Sequence, residues 1–279
     1  MTTATPTIYN RVPLTAALRD TAVITKRNVL RNLRLPQLVV FATIQPVMFL
    51  LLFNYVFGGA IVAGAGVPGL DYIQLLIPGI LVQTAVFGAT STSLGLTEDL
   101  SNGVIDRFRS LPMARSGVLA GRTLADLVRS SFVTLLMMVV GYLIGWRFDQ
   151  GIGKAALGIA LALLFGYAMS WVMGTVGLAV KNPEAAQTAG FLPIFPLVFA
   201  SSAFVPTDTM PSWLQAFANH QPITILSNTL RSLFLPQQAL APMGYDNTTT
   251  LVLQSLAWIA GIIVVFAPLA VRMYRRAVG

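Results

Sequence analysis

The sequence predicts an all-α integral membrane protein, and three observations lead to this prediction. Only 10% of the 279 residues are charged, whereas 55% belong to the apolar set AVILMFWYC. Because a soluble domain carries roughly 25% charged residues, this composition excludes a water-soluble globule, and its apolar excess excludes a disordered chain. The uncharged runs are long enough for helices that cross about 30 Å of hydrocarbon. They lack the apolar–polar alternation of β-barrel strands.

Six uncharged runs predict six transmembrane helices. The runs cover residues 36–57, 72–97, 130–146, 155–180, 185–207 and 247–271. We extend the third span back to about Leu127, which predicts that Arg129 snorkels toward the membrane interface. No ionisable residue lies inside any of the six runs. This disfavours a proton-coupled carrier, because such carriers usually need charged side chains near the membrane centre.

A seventh uncharged run, residues 209–230, is too polar for a lipid-facing helix. It predicts two short helices, Pro211 to about Asn219 and Ile223 to Phe234, which lie in or re-enter the outer interface. With six spans, both termini share one side of the membrane with 15 of the 18 Lys and Arg residues. The positive-inside rule therefore places both termini in the cytoplasm, at a bacterial inner membrane. The net charge of +8 then reflects the excess of basic residues on the cytoplasmic side of the membrane, and it does not indicate binding to nucleic acid.

This topology divides the chain into three parts. Residues 1–35 form a cytoplasmic N-terminus without the apolar core of a signal peptide, so the first span is expected to be an uncleaved anchor. Residues 36–271 form the six-span domain, and residues 272–279 form a basic cytoplasmic tail. The six-span domain includes a cytoplasmic loop, 97–126, and an outer re-entrant segment, 208–236.

The segment before the first span predicts a basic amphipathic helix over residues 13–34. Its apolar arc consists of Leu14, Leu18, Ala22, Thr25, Val29 and Leu33. Such a helix lies on the inner leaflet, attracted by anionic lipid. A second interpretation is that its exposed face also contacts a cytoplasmic partner.

The loop between spans two and three predicts a second amphipathic helix, from Glu98 to Pro112. Its apolar stripe consists of Leu100, Val104, Phe108 and Leu111. A short helix of this kind suits docking into a groove on another protein. The alternative is a solvated connector, for which a stripe containing Phe108 would have little use.

Two motif-bearing stretches resemble the type-2 ATP-binding-cassette (ABC) permeases, in the drug-export branch that includes daunorubicin-resistance membrane subunits. The first stretch contains Glu98, Gly103, Arg107, Leu111-Pro112 and Gly121-Arg122. The second contains residues 191–196 (FLPIFP), 201–206 (SSAFVP) and 210–214 (MPSWL), then Asn219 and Pro222. His220-Gln221 separate Asn219 from Pro222, where many members have a direct Asn-Pro.

The resemblance implies a domain that pairs with a second permease copy and works with two copies of a separate ATPase chain. It implies that the 98–112 helix is the coupling helix, seated on the ATPase. The residues we expect at that interface are Glu98, Asp99, Gly103, Arg107, Phe108 and Arg109. ATP and Mg²⁺ would bind to the partner, and no cofactor or metal is expected in this chain.

The sequence itself contains no phosphate-binding loop. Such a loop needs G-x-x-x-x-G-K-[ST], whereas Gly153-Lys154 has Phe148 at the first glycine position and Ala155 at the Ser/Thr position. One His and no Cys also leave the usual intramembrane catalytic sets unavailable. We therefore predict that the chain is not an enzyme.

Polar and aromatic residues within the spans are candidates for a substrate pathway. Because Gln45, Asn54 and Gln83 are costly to bury in hydrocarbon, they face other helices or a cavity. Phe49 and Phe87 lie on the same two spans, and Phe195 lies on span five. Together they would give an apolar lining with sparse polar groups, which suits an amphipathic organic substrate. Alternatively, the polar groups only join helices and the rings face lipid.

These observations predict a permease subunit of an ATP-driven exporter for a hydrophobic or amphipathic substrate, such as a drug, an antibiotic or a lipid. The direction of transport follows from the family resemblance. Two alternatives remain: an ABC exporter of a glycan-lipid or cell-envelope lipid, and a non-ABC channel or assembly subunit.

Overall fold

The structure, a computed structural model, describes residues 14–34, 36–59, 71–103, 115–180, 182–245 and 247–278. No residue in these ranges belongs to a β-strand. The helices are α1 Leu14–Arg34, α2 Pro36–Leu52, α3 Tyr72–Ser101, α4 Arg115–Ile144, α5 Ile152–Ala179, α6 Pro183–Phe199, α7 Ser212–His220, α8 Pro222–Phe234, α9 Gln237–Leu240 and α10 Thr248–Val278. α2 continues into a π-helical turn, Phe53–Phe57.

Five described helices are long and apolar enough to cross a membrane. These candidate spans are Val40–Phe57, Tyr72–Ser101, Leu119–Ile144, Ile152–Ala179 and Thr248–Arg276. The protein is therefore an all-α, multi-pass membrane protein.

The predicted span over residues 185–207 has a different form. α6 has 17 residues, which makes it about 26 Å long, and the chain then turns through residues 200–206. Gln221, just before α8, caps this end, since its Nε2 donates to the carbonyls of Leu197 at 3.0 Å and Ala200 at 2.5 Å. The two short outer helices of the prediction correspond to α7 and α8.

α3 lies at the centre of the helix bundle and packs most extensively on α5, with further contacts to α4, α6 and α8. Leu76, Ile77, Ile80 and Leu81 are fully buried there. Gly79 lets α3 approach the turn after α6 closely, because a Cβ at this position would collide with the carbonyl of Ala203.

The N-terminal helix α1 packs against α4, and only part of the predicted apolar arc takes part in this contact. Ile24 and Asn28 are buried, and Ile24 lies against Gly121, where a larger residue would collide with it. Thr25 of the arc donates from its Oγ1 to the carbonyl of Gly121 at 3.2 Å. In contrast, Leu18 and Leu33 of the arc are 70% and 69% exposed on the surface of the chain.

The boundary predicted at Glu98 is wrong. α3 runs through Glu98 and Asp99 to Ser101, so these two residues lie in its last turn and do not start a separate helix. Contact with α5 maintains α3 up to this point, since Thr97 Oγ1 donates to the carbonyl of Gly177 at 2.9 Å. Gly103 then ends the helix with a φ of 65°. The rest of the predicted 98–112 helix, residues 104–112, lies outside the described residues.

The helix that contains the third span begins earlier than the uncharged run. α4 starts at Arg115, and its apolar stretch from Leu119 to Ile144 includes Asp126 and Arg129. The span was predicted to start near Leu127 because charged residues were expected to lie outside it. These charges are accommodated because they contact α3 and each other, as described below.

Candidate functional site

A cavity of about 320 Å³ lies between α2, α3, α4 and α6. Its lining consists of Ala42, Gln45, Pro46, Gln83, Thr84, Phe87, Gly88, Thr90, Ser91, Leu94, Arg129, Ser130, Val133 and Gln187. The lining combines an aromatic ring and aliphatic side chains with amides, hydroxyls and a guanidinium group. This is the mixture expected of a site for an amphipathic ligand.

The cavity brings together three of the six predicted pathway residues. Gln45 of α2 and both Gln83 and Phe87 of α3 line it. Asn54 lies in the π-helical turn and is half-buried, away from the cavity lining. Phe49 and Phe195 belong to a neighbouring series of rings.

Eight phenylalanines form this series, with successive ring centroids 4.4 to 6.0 Å apart. Its members are Phe87, Phe191, Phe195, Phe199, Phe204, Phe49, Phe53 and Phe57. Phe191, Phe195 and Phe199 follow one another at four-residue intervals along α6, so they share one helix face. The series starts at the cavity, through Phe87, and runs toward the turn after α6.

Two polar atoms of cavity-lining residues have no hydrogen-bond partner among the described residues: Gln83 Oε1 and Thr84 Oγ1. Gln83 is 1% exposed and Thr84 is 8% exposed. A buried polar group without a partner costs about 1–3 kcal/mol, so such atoms are uncommon in folded proteins.

Arg129 also lines the cavity, and its side chain contacts α3. Its Nη2 donates to the carbonyl of Gly88 at 2.6 Å and contacts Ser91 Oγ. Asp126, one turn earlier on α4, lies 3.9 Å from Nη2. The sequence analysis missed Asp126, although its spacing from Arg129 is that of an ion pair on one helix face.

Asp126 is held away from the cavity by hydroxyl groups of α3. Thr92 Oγ1 donates to its Oδ2 at 2.5 Å, and Ser91 Oγ donates to its Oδ1 at 3.2 Å. Asp126 is buried and does not line the cavity. The charge that the cavity presents is therefore the guanidinium of Arg129.

A second cluster of charges joins α1, α3 and α4 at the end of α3. Arg31 Nη2 donates to Glu98 Oε2 at 3.0 Å. Asp99 lies between two arginines, with Arg122 Nη1 at 3.0 Å and Arg27 Nη2 at 3.8 Å. Arg122 Nη1 also donates to the carbonyl of Gly95 at 3.1 Å. These interactions connect the amphipathic N-terminal helix to the last turn of α3.

The structure separates the two carboxylates that sequence analysis assigned together to a partner interface. The Asp99 side chain is 11% exposed and is surrounded by its own chain, whereas that of Glu98 is 32% exposed. Gly103 forms the turn that ends α3. Arg107, Phe108 and Arg109 lie outside the described residues.

A buried arginine at the opposite end of α3 was not singled out from the sequence. Arg231 of α8 is 3% exposed and donates to the carbonyls of Leu75 at 3.1 Å, Ser202 at 2.5 Å and Ala203 at 3.4 Å. Its Nη1 donates to Asn228 Oδ1 at 3.0 Å and to Ser202 Oγ at 3.1 Å. This side chain joins α8 to α3 and to the turn after α6.

Among the described residues, no group of three or more His, Cys, Asp or Glu side chains could hold a metal ion.

Comparison with known proteins identifies relatives along most of the chain. The ABC-2 type transporter family matches residues 19–235. The daunorubicin resistance ABC transporter permease protein DrrB1 of Streptomyces coeruleorubidus is 31% identical over 240 residues, which cover 86% of this chain and 80% of the relative.

Two further relatives carry similar names. The "Probable doxorubicin resistance ABC transporter permease protein DrrC" of Mycobacterium tuberculosis strain H37Rv is 30% identical, over 86% of this chain and 82% of the relative. The "Probable multidrug ABC transporter permease YbhR" of Escherichia coli is 22% identical, over 62% of this chain and 47% of the relative.

Proposed function

The chain belongs to the ABC-2 type transporter family, and from this premise we propose that it is the transmembrane permease of an ATP-driven drug exporter. Its substrate is a hydrophobic or amphipathic molecule such as a drug, an antibiotic or a lipid. Relatives named for daunorubicin and doxorubicin resistance support this substrate class. Family membership removes the support for a non-ABC channel or assembly subunit.

The observation that carries the proposal is the cavity lined by Gln45, Gln83 and Phe87. On α4 the cavity residue Arg129 lies seven positions, about 10 Å, from Arg122, which pairs with Asp99 at the end of α3. The cavity thus belongs to the half of the bundle nearer that end. In the topology predicted from the basic residues, this is the cytoplasmic half, so substrate enters from the cytoplasm or the inner leaflet.

The phenylalanine series gives the next section of the pathway. It leads from Phe87 at the cavity along Phe195 of α6 to Phe49 and Phe53 of α2. Phe191, Phe195 and Phe199 remain 37% to 45% exposed in the single chain. We assign this face of α2 and α6 to the contact with a second permease copy, so that substrate passes between the two copies. Asn54 lies in the π-helical turn that continues α2, at its outer end.

The proposed topology has six crossings, with α6 and the turn that follows it as the fifth. α7 and α8 then form the outer re-entrant segment, 208–236, within the six-span domain 36–271. Packing of α8 back onto α3 and α5 supports this arrangement. Both termini, residues 1–35 and 272–279, lie in the cytoplasm of a bacterial cell, and the exposed Leu18 and Leu33 of α1 contact the inner leaflet.

Energy comes from a separate ATPase chain, present in two copies, which binds ATP and Mg²⁺. The coupling loop 97–126 contacts it through Glu98, Gly103, Arg107, Phe108 and Arg109. Asp99 acts as a positioning residue, because its arginine partners belong to this same chain. Movement of the ATPases would shift the last turn of α3, and the ion pairs would carry α1 and α4 with it.

A second candidate substrate is a cell-envelope lipid or glycan-lipid. The cavity favours it at one point, the guanidinium of Arg129, which suits an acidic headgroup.

The test is ATP-dependent uptake into inverted membrane vesicles that contain this chain with its cognate ATPase. We expect uptake of daunorubicin or of a fluorescent phospholipid, and loss of uptake when the ATPase carries a substitution of its phosphate-loop lysine. Alanine at Phe87 should reduce uptake, whereas alanine at Phe132, an exposed residue of α4, should not. A complex that hydrolyses ATP but moves neither probe would contradict the proposal.

A further inference from the structure

We propose that the cavity selects ligands with an anionic headgroup and that Arg129 is the headgroup-binding residue. The inference rests on the proposed function and narrows its substrate class. It favours an acidic lipid or another anionic amphiphile over daunorubicin, whose amino group is protonated at neutral pH. It assigns the ligand a phosphate or carboxylate group and an apolar tail.

Some N–H donors of Arg129 are not used by any residue that the structure describes. A guanidinium group has five N–H donors in a rigid fork that fits carboxylate and phosphate. Nη2 is used by Gly88 and Ser91, but Nε and Nη1 donate no hydrogen bond to any residue that the structure describes. The side chain is 14% exposed and lines the cavity. These free donors are therefore available to a ligand in the cavity.

Asp126 lies near Arg129, and its carboxylate could have made the site neutral or cation-binding. Its carboxylate oxygens already accept hydrogen bonds from Ser91 and Thr92, and they face α3. The Arg129–Asp126 distance of 3.9 Å is too long for a hydrogen bond, so Asp126 does not occupy the N–H donors of Arg129. A cationic ligand would meet the guanidinium first.

The apolar part of the lining gives the ligand its second feature. Phe87, Leu94 and Val133 supply apolar surface for the start of a tail. A volume of about 320 Å³ accommodates a headgroup, so the tail extends beyond the cavity.

The chain has no cysteine, so charge at the cavity can be measured by thiol modification. Ala42→Cys places one thiol in the cavity wall, and Ser212→Cys places one on the exposed start of α7 as the control. The reagents are anionic 2-sulfonatoethyl methanethiosulfonate and cationic 2-(trimethylammonio)ethyl methanethiosulfonate. We expect the anion-to-cation rate ratio at position 42 to exceed the ratio at position 212 by about tenfold. Adding Arg129→Gln should remove this excess.

Ligand protection then identifies the source of the anion. The rate of thiol modification of the Ala42→Cys chain is first measured in phosphatidylcholine nanodiscs with added decanoate or decyltrimethylammonium. It is then measured without either additive in nanodiscs that contain phosphatidylglycerol. Slower modification with decanoate alone indicates a free acidic amphiphile, and slower modification with phosphatidylglycerol alone indicates a lipid headgroup. Equal protection by the cation, or equal rate ratios at positions 42 and 212, would overturn the inference.

Arg129→Lys keeps the test decisive if Arg129→Gln does not fold. Lysine retains the positive charge but lacks the Nε and Nη1 donors of the guanidinium fork. The excess in the rate ratio at position 42 should therefore remain, whereas protection by decanoate or phosphatidylglycerol should weaken several-fold. Undiminished protection would contradict the assignment of these donors to the ligand. Since none of these measurements involves ATP or transport, they can fail while export succeeds, and the reverse.

Discussion

The guanidinium of Arg122 occupies the space that a side chain at Gly95 would need. From this position Arg122 Nη1 donates to the carbonyl of Gly95 at 3.1 Å and to Asp99 Oδ2 at 3.0 Å. The absence of a side chain on α3 thus allows a cation of α4 to reach the last turn of α3. The junction between the bundle and the coupling loop depends on one glycine.

Gly95→Ala should displace Arg122 from Asp99. We expect a loss of about 1–3 kcal/mol of stability, because the added methyl group meets a side chain that is held by two hydrogen bonds. The measurement is thermal unfolding of the purified chain in detergent. Gly174→Ala is the matched control, since its Cβ would meet nothing within 4 Å. Equal melting temperatures for the two variants would show that Arg122 adapts freely.

Asp99→Asn and Glu98→Gln should differ in their effect on stability. Asp99 is buried between Arg122 and Arg27, so its neutralisation leaves a buried cation uncompensated, at a cost of about 3–5 kcal/mol. Glu98 and Arg31 are more exposed, and such pairs contribute about 0–1 kcal/mol. Chemical denaturation of both variants checks the difference. If Glu98→Gln proved the more destabilising variant, the distinction between a buried and an exposed pair would be wrong.

Arg231→Met should loosen the outer end of the bundle. The substitution keeps the aliphatic part of the side chain but leaves the carbonyls of Leu75 and Ser202 without their donor. We expect a loss of at least about 2 kcal/mol, since each unsatisfied buried group costs about 1–3 kcal/mol. Hydrogen exchange should show faster exchange in residues 200–205. Arg147→Met is the control, because Arg147 is exposed, and similar exchange in both variants would contradict the role of Arg231.

Phe195→Leu should weaken transport through the loss of ring contacts with Phe191 and Phe199. Aromatic pairs contribute about 0.5–1.5 kcal/mol, which corresponds to a roughly two- to tenfold effect on export of an aromatic substrate. ATP-dependent uptake into inverted vesicles gives the measurement. Phe132→Leu serves as the control, because Phe132 is exposed on α4. A comparable reduction in both variants would argue against the phenylalanine series as a pathway.

Five of the six predicted spans correspond to described helices that are long and apolar enough to cross a membrane, because long uncharged runs are typical of segments that lie in hydrocarbon. Sequence reasoning failed where charge is compensated by tertiary contacts. The span that contains Asp126 and Arg129 was shortened because the hydroxyl groups that hold Asp126 come from α3, whose packing against α4 was not visible in the sequence. Arg231 lies in a helix that was predicted, but its role was missed for the same reason, since its partners are carbonyls distant along the chain.

The candidate site was predictable in part. Gln45, Gln83 and Phe87 line one cavity. Of the two amides, Gln83 is buried, as the cost of exposing an amide to lipid predicts, whereas Gln45 is exposed in the single chain. The boundary at Glu98 was missed because an amphipathic stripe continues across the end of α3. Only contact with α5, through Thr97, shows where the central helix ends. The unpartnered oxygen of Gln83 is a property of packing, and no sequence pattern indicates it.

Arg231 also has a consequence for the order in which the protein is made. Its guanidinium donates to the carbonyls of Leu75 and Ser202. Leu75 is added to the growing chain 156 residues before Arg231. During synthesis, α3 and α6 are therefore made before the side chain that joins the start of α3 to the turn after α6. A nascent chain that stops before α8 lacks this connection, so this end of the bundle is completed late in biogenesis.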